Sequence, residues 1–340
     1  MTKKIFLLYK NRLFAHNITD YTGKGRFFYM EAARRKYIMV FFAFLFIILA
    51  GSYFLNLAQK QNLPKIKTTS SSYFTIKDTR GNVILQTGIK VYKNDEYISE
   101  QNIHYIVTSV KGTEATAVVK NEVLSQNNSI PAASLFVPDR LLKPDYTDLS
   151  VAIYHTHSDE SYIPTSGTPS KRAKGDIFEV GKALKERLKK PGIKVFHSLN
   201  AHDPHDINAY HRSRRTAISL VKKGPDAIFD IHRDSAPLSA YQTKINGIPV
   251  ARVMIVIGRS NPNMQTNLDY AKRVKAVADK IYPGFLRGIF IGKGDYNQDL
   301  YPTSLLFEVG TEQNNLKEAK ESMKFLGDII IKVLRNEDLS

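Results

Sequence analysis

Two histidines and a glutamate stand at the end of a short apolar run, in a pattern that could hold a metal ion. The run 151–154 has the composition of a buried strand, and it leads into His155, His157 and, three residues later, Glu160. Imidazole and carboxylate are the ligands that Zn²⁺ takes in hydrolytic sites that keep one coordination position open. With the spacing His-x-x-Glu, a single turn after the strand can place the side chains of His157 and Glu160 around one metal ion. The stretch is therefore predicted to supply two ligands of a zinc site.

Two later apolar runs each deliver one more ionisable residue. The run 227–230 leads to His232, and the run 305–309 contains Glu308. His232 can complete a set of three protein ligands. Glu308 lies in an apolar strand, where burial raises a carboxyl pKa towards the working pH, so it is the candidate general base and acid.

Several assignments stay open on spacing alone. In an extended stretch the side chains of His155 and His157 point the same way, so either could be the ligand. Glu312 is the alternative to Glu308 as the base, although it falls in the following loop. Arg233 is a candidate catalytic residue that polarises a carbonyl, and a salt bridge at the sheet edge explains it equally well.

A second cluster of histidines and aspartates follows one of the predicted strands. His202, Asp203, His205 and Asp206 surround a proline in a loop that precedes a predicted helix. The pattern resembles a second metal site, but Asp206 or Asn208 is better explained as the cap of that helix. We therefore predict no second metal here.

The elements that must position these residues form an alternating pattern from residue 149 onward. The predicted strands are 151–155, 194–197, 227–230, 252–257, 288–291 and 305–309, and the predicted helices are 176–190, 208–223, 262–282 and 316–335. Strands alternating with helices predict an α/β fold with a mostly parallel sheet and helices on both faces. In such sheets ligands bind beyond the carboxyl ends of the strands, where His157, His232 and Glu308 fall.

The first part of the chain is predicted to anchor it in a membrane. Residues 1–36 form a basic leader, and residues 37–58 carry no charge and are rich in Phe, Leu, Ile and Ala. A transmembrane helix needs ~20 such residues. A cleaved signal peptide is the competing interpretation, but its apolar core is usually ~7–15 residues. Because basic flanks stay in the cytoplasm, we expect a single-pass anchor with the N-terminus inside and the rest of the chain outside.

A β-rich segment lies between the predicted anchor and the predicted catalytic domain. The full division is 59–70 linker, 71–123 small β-rich module, 124–148 linker and 149–337 catalytic domain. Within the module, residues 88–92 are among the predicted strands. No ligand spacing occurs there, so the module is predicted to be a spacer or a docking surface for a partner, without a part in the chemistry.

Composition narrows the possible partners. The chain has 49 Lys and Arg against 32 Asp and Glu, a net charge of +17, and no cysteine. Without cysteine, neither a disulfide nor a thiolate metal site is possible. The positive charge favours contact with a polyanion such as anionic lipid or a wall polymer. No phosphate-binding loop motif occurs, and we expect no nucleic-acid partner.

Three motifs together resemble the stage II sporulation protein P family of cell-wall amidases, which belongs to the zinc-dependent N-acetylmuramoyl-L-alanine amidase group. They are residues 155–162, 230–235 and 307–314, and the resemblance covers about residues 149–335. It implies a fold like that of the zinc amidases and carboxypeptidases. It also favours His157 over His155 as the ligand and implies that Glu308 is the catalytic glutamate.

The resemblance further implies an activity and its setting. The expected reaction is zinc-dependent hydrolysis of the peptidoglycan amide between the muramic acid lactyl group and L-alanine, with cleavage of peptide cross-links as a further activity. The implied partners are the stage II sporulation proteins D and M, at the engulfing septum of a sporulating cell. The alternatives are a zinc carboxypeptidase or peptidase of another specificity, and a wall-binding protein without catalysis.

Overall fold

The computed structural model describes residues 73–120 and 148–337, together with helical residues within 38–52 other than 42 and 44. The chain divides into two compact units, Met1–Thr69 and Ser70–Ser340. The helix within 38–52, α1, belongs to the first unit. None of the helices in the described residues is long and apolar enough to cross a membrane. The predicted anchor 37–58 lies partly outside the described residues, and the predicted leader 1–36 and linker 59–70 lie wholly outside them.

The elements of the second unit follow the order of the chain. The strands are β1 (Phe74–Lys77), β2 (Val83–Thr87), β3 (Glu96–Ser99), β4 (His104–Lys111), β5 (Glu114–Val119), β6 (Ser150–Tyr154), β7 (Lys194–His197), β8 (Ala227–Asp234), β9 (Gln242–Ile245), β10 (Ile248–Ala251), β11 (Val253–Gly258), β12 (Leu286–Gly292) and β13 (Ser304–Thr311). The helices are α2 (Ile163–Ser166), α3 (Ile177–Lys189), α4 (Ala209–Val221), α5 (Leu238–Tyr241), α6 (Met264–Ile281) and α7 (Leu316–Leu334). A 3₁₀ turn, Gln298–Leu300, precedes β13.

Eleven of these strands form one mixed sheet in the order β2-β1-β5-β4-β3-β12-β11-β13-β8-β6-β7. The site-bearing strands β6, β8 and β13 are parallel neighbours, as predicted from the alternation of strands and helices. Strand β11 runs antiparallel to β13, and β3 runs antiparallel to β12. The prediction of a mostly parallel sheet therefore holds from β6 onward, whereas the sheet as a whole is mixed.

The β-rich segment is joined to the catalytic strands by backbone pairing. Strand β3 pairs with β12 from Glu96 opposite Ile291 to Ser99 opposite Gly288. The Tyr97 hydroxyl adds a 2.6 Å hydrogen bond to the carbonyl oxygen of Arg287. The two parts are therefore one continuous sheet, and the position of a domain boundary between residues 123 and 149 stays a prediction, since residues 121–147 lie outside the described part.

Alternate residues of the central strands face two different hydrophobic layers. On β11, Val253, Ile255 and Ile257 pack with the apolar sides of α3, α6 and α7. Met254 and Val256 face the other way and share a core with side chains of β1–β5. Helix α4 covers this second face beside β6. On β11–β13 the second face is covered mainly by β1–β5, and α5 adds Tyr241 to the same core, so the prediction of helices on both faces holds there only in part.

One predicted strand of the β-rich segment is instead a loop. Residues 88–92 follow β2 without joining the sheet, although the strands predicted around them form. The β9–β10 hairpin was not predicted, since its run of Gln, Thr, Lys, Pro and Gly lacks a strand pattern.

Candidate functional site

An open cleft of about 280 Å³ lies beyond the carboxyl ends of β6, β8 and β13. It gathers the predicted ligands and the predicted catalytic residues except His155. The predicted residues that line it are His157, Glu160, His232, Arg233 and Glu308. Strand pairing places Glu308 directly opposite His232. Because these strands are parallel, their side chains meet at one edge of the sheet, as the sequence predicts.

His157 is held at the cleft by the turn that ends β6. Buried Asp230 accepts hydrogen bonds from the backbone N–H of Thr156 (2.8 Å) and from its hydroxyl (2.6 Å), which fixes that turn. The His157 ring stacks on His205 with 3.7 Å between ring centroids, and its Nδ1 is buried without a hydrogen-bond partner. Burial lowers the pKa of His157 to about 3, so the ring is neutral at pH 7 and keeps a lone pair for a ligand.

Glu160 and His232 face each other in the same cleft. Glu160 Oε1 lies 3.6 Å from His232 Nδ1, and Glu160 Oε2 accepts a 2.9 Å hydrogen bond from the backbone N–H of Arg233. His232 Nε2 lies 3.0 Å from Asp230 Oδ1 without hydrogen-bond geometry. Burial lowers the pKa of His232, but the charges of Asp230 and Glu160 outweigh it and raise the pKa well above its ordinary value. The two carboxylates thus make this point of the cleft favourable for positive charge.

Glu308 is buried, and a bulge in its strand follows it. The register of β13 against β8 shifts between Glu308 and Thr311, and Gly310 has a φ of 71°. A side chain at Gly310 would meet Asn314 Oδ1 at 2.7 Å, so glycine is required for this bend. Glu308 Oε2 has no hydrogen-bond partner, and burial together with the charge of Asp234 raises the pKa of Glu308 well above its ordinary value.

His155 lies away from the cleft, under α3. Its Nδ1 donates to the carbonyl oxygen of Ile231 at 3.0 Å, and its Nε2 lies 2.8 Å from His197 Nε2. A carbonyl only accepts, so the neutral ring carries its proton on Nδ1 and accepts through Nε2. Both ring nitrogens of His155 therefore have protein partners, and the ring does not line the cleft.

Arg233 lines the cleft, but its guanidinium is bonded to main-chain carbonyl oxygens. Nε donates to Ser161 (3.2 Å), and the terminal nitrogens donate to Pro169 (2.7 Å) and Asp234 (3.3 Å). These bonds fix the loop that carries Glu160. A role for Arg233 in stabilising an oxyanion stays a prediction.

Whether these residues fit a zinc ion can be judged from the donor atoms. Within the part of the chain that is described, no group of three or more His, Cys, Asp or Glu side chains is arranged as a metal site. The donor chemistry nevertheless fits. Two ligands at ~2.0–2.2 Å from a tetrahedral zinc are roughly 3.3–3.6 Å apart, which matches the 3.6 Å between Glu160 Oε1 and His232 Nδ1. The unpartnered His157 Nδ1 is a third donor of the required type.

His205 and Tyr210 line the cleft, although neither was among the predicted ligands or catalytic residues. His205 stacks on His157, and its Nδ1 lies 3.0 Å from Asp159 Oδ1. The Tyr210 ring stands edge-on to His157 and is stacked near His232 at 6.3 Å. The cluster around residue 204 was the available signal for His205, but it was interpreted as a helix cap. Asn208 begins α4 without a side-chain cap, whereas the Asp206 carboxylate accepts a 2.9 Å hydrogen bond from the backbone N–H of Asn208, so the interpretation holds for Asp206 and not for Asn208.

His202 of the same cluster is not a ligand candidate. Its Nδ1 lies 2.8 Å from the carbonyl oxygen of His155, and its Nε2 lies 2.9 Å from the hydroxyl of Thr216. Both ring nitrogens of His202 therefore have partners within the fold.

The fold and the cleft define an α/β protein with histidine and glutamate side chains converging at the ends of three parallel strands. Residues 61–331 match the family Stage II sporulation protein P (SpoIIP), and the chain belongs to this family. It is 31% identical over 198 residues to Stage II sporulation protein P of Bacillus subtilis (strain 168), a match that covers 53% of this chain. The match covers 49% of that relative, so the chain spans about half its length.

Solved structures resemble part of the chain. The CwlD amidase from Clostridioides difficile, solved in complex with the GerS lipoprotein, is 13% identical with a TM-score of 0.38, over 55% of this chain and 98% of that one. The apo form of the N-acetylmuramyl-L-alanine amidase Ami1 from Mycobacterium abscessus is 14% identical with a TM-score of 0.37, over 56% of this chain and 99% of that one.

Proposed function

We propose that this chain is a zinc-dependent peptidoglycan hydrolase that cleaves the amide between the muramic acid lactyl group and L-alanine. The observation that carries the proposal is the convergence of His157, Glu160, His232 and Glu308 in one cleft, with His157 Nδ1 and Glu308 Oε2 buried and unpartnered. Buried polar atoms without a partner are costly, and they concentrate where a ligand or a proton is to be received. Membership of the family supports the choice of substrate.

In this proposal His157, Glu160 and His232 hold the zinc ion. When bound, Zn²⁺ supplies the Lewis acidity that amide hydrolysis requires. Glu308 takes a proton from the attacking water and returns it to the leaving amine, a task suited to a carboxyl group with a raised pKa. The hydrogen bond from the backbone N–H of Arg233 orients Glu160.

The class of bond cut can be determined from the products. Purified sacculi are digested with the full chain, and the released fragments are identified by mass spectrometry. Free stem peptides beginning with L-alanine are expected, together with glycan strands that keep intact lactyl groups. Release of only a terminal amino acid would indicate a carboxypeptidase, and cut cross-links with peptides still on the glycan would indicate an endopeptidase. Absence of all three products with wall binding retained would indicate a binding protein.

We further propose that a single-pass anchor within residues 37–58 holds the enzyme at the cell membrane with its catalytic part outside. The charge-free apolar run and the basic leader before it support this orientation. Protease added to intact protoplasts is then expected to remove the catalytic part. Removal only after detergent opens the cells would contradict the orientation.

The stage II sporulation proteins D and M are the partners that we propose on the basis of family membership, with the septum of a sporulating cell as the place of action. Co-purification of either protein with the full chain from sporulating cells would support the proposal. Recovery of neither one after crosslinking would contradict it.

A further inference from the structure

The β-rich segment, predicted to take no part in the chemistry, supplies one wall of the cleft. Gly88, Ile89 and Lys90 line it, together with residues at the ends of β6 and β8. They follow β2 in the stretch predicted as a strand and observed as a loop. We call residues 88–90 the cleft loop. A loop that faces reactive groups is a candidate for contact with substrate.

The cleft loop is fixed to the catalytic strand β8 by a buried carboxylate. Asp234 Oδ1 accepts hydrogen bonds from the Thr87 hydroxyl (3.0 Å) and from the backbone N–H of Gly88 (2.7 Å). Asp234 Oδ2 accepts a 2.7 Å bond from Tyr241, and buried Arg287 lies 3.8 Å from it. Asp234 lies two residues after His232, so one short stretch of β8 positions both the cleft loop and a predicted ligand.

The contact between the loop and β8 is close enough to exclude any side chain at residue 88. A Cβ on Gly88 would stand 2.7 Å from Ser235 Cβ and 2.9 Å from the Ser235 carbonyl oxygen. Such a close backbone approach leaves the loop little freedom. A binding group carried by a rigid loop loses little entropy when it binds, so this arrangement suits recognition.

The loop presents a positive charge at the cleft. Lys90 is exposed, and its ammonium lies 5.2 Å from the centre of the Tyr92 ring, while that of Lys293 lies 4.9 Å from the same ring. Among the described residues no carboxylate forms a salt bridge with either ammonium. Two like charges beside one ring, without an acidic partner, create a positive potential that an anionic ligand would relieve.

We propose that the cleft loop belongs to the substrate-binding surface and that Lys90 binds a carboxylate of the peptide part of the substrate. The inference rests on the proposed function, in which the substrate is peptidoglycan, a polymer that carries peptides. Lys90 is then a specificity residue, and residues 73–120 complete the cleft rather than only linking it to an anchor.

The test uses two synthetic N-acetylmuramoyl peptides that differ only in whether their carboxylates are free or amidated. Binding to the full chain is measured by titration, and hydrolysis is followed by chromatography. Wild type is expected to bind the free acid at least ~3-fold more tightly, and Lys90→Glu to lose this preference and bind the acid about 10-fold more weakly. In hydrolysis the change is expected in KM and not in kcat.

Lys93→Glu is the matched control, because it makes the same charge change three residues away, at an exposed lysine that does not line the cleft. It is expected to keep the preference, and both variants are expected to unfold at the wild-type temperature. Equal binding of the two peptides by wild type, or an unchanged preference in Lys90→Glu, would overturn the inference. If wild type shows the Lys90-dependent preference but hydrolyses neither peptide, the inference stands and the proposed reaction is wrong.

Discussion

Glu308 and His232 stand directly opposite each other on the parallel strands β13 and β8. Their separation is therefore set by backbone pairing and does not depend on a loop. Strand pairing is among the most rigid ways to place two side chains, and catalytic groups need such placement. This relationship supports the proposal that Glu308 transfers the proton beside the proposed zinc ligand His232.

Glu308→Gln is expected to lower turnover by at least ~10²-fold, because the amide keeps the shape of the side chain but cannot accept the proton. Zinc content and wall binding are expected to stay at the wild-type level. Peptide release from sacculi and metal analysis check the two parts. Glu312→Gln is the control, since Glu312 is buried beside Ser235 and Thr311 and does not line the cleft. If Glu308→Gln keeps near-normal turnover and Glu312→Gln loses it, Glu312 is the residue that transfers the proton.

Zinc content is expected to distinguish the two histidines that follow β6. His157→Ala removes a proposed ligand, so the purified variant is expected to hold zinc at least ~10-fold more weakly. His155→Ala is expected to retain zinc but to lose about 1–3 kcal/mol of unfolding free energy, because it leaves the Ile231 carbonyl and His197 without their partner. Inductively coupled plasma mass spectrometry and denaturant unfolding measure the two effects. Loss of zinc in His155→Ala, with zinc retained in His157→Ala, would identify His155 as the ligand.

Gly88→Ala is expected to destabilise the fold by about 1–3 kcal/mol, because the new methyl group collides with Ser235 on β8. Chemical denaturation of wild type and variant gives the difference. Adding Ser235→Gly, which removes the nearest atom, is expected to restore part of the loss. An unfolding free energy equal to that of wild type would show that the close approach of the loop to β8 is not maintained.

The Arg214–Asp299 pair is expected to contribute stability that depends on pH. Arg214 donates two hydrogen bonds to Asp299, at 2.8 Å and 2.5 Å, and thereby lowers the pKa of that carboxyl below 3.8. The contribution is present above pH ~4 and disappears as the pH falls through the lowered pKa of the folded state. Asp299→Asn is expected to cost up to about 1 kcal/mol at pH 7, since the pair is partly exposed.

The same experiment at pH 3 is expected to show a smaller difference from wild type. Glu186→Gln is the control, since it removes one negative charge from an exposed pair in which the atoms are 4.0 Å apart. Its effect is expected to be near zero at both pH values. A loss for Asp299→Asn that does not change with pH would mean that packing rather than charge is responsible.

The alternation of apolar and ionisable residues was sufficient to predict the strands that carry the site. Parallel strands covered on both faces are apolar throughout, so the ionisable residues at the carboxyl end of β8, His232 among them, and Glu308 in β13 stand out after the apolar starts of these strands. The pairing of β3 with β12 was not predictable in this way, because it joins segments about 190 residues apart that show no local signal. For the same reason, the place of Lys90 in the cleft could not be predicted.

The ladder between β3 and β12 has a consequence for any shortened form of the chain. Without residues before 148, β12 would become an open edge with unpaired N–H and C=O groups, and Met254, Val256, Phe290 and Leu306 would lose the side chains that cover them. Open edges beside exposed apolar surface recruit other strands and promote aggregation. Strands β1–β5 are therefore expected to protect the catalytic strands from self-association. A fragment that begins at residue 148 is expected to be insoluble.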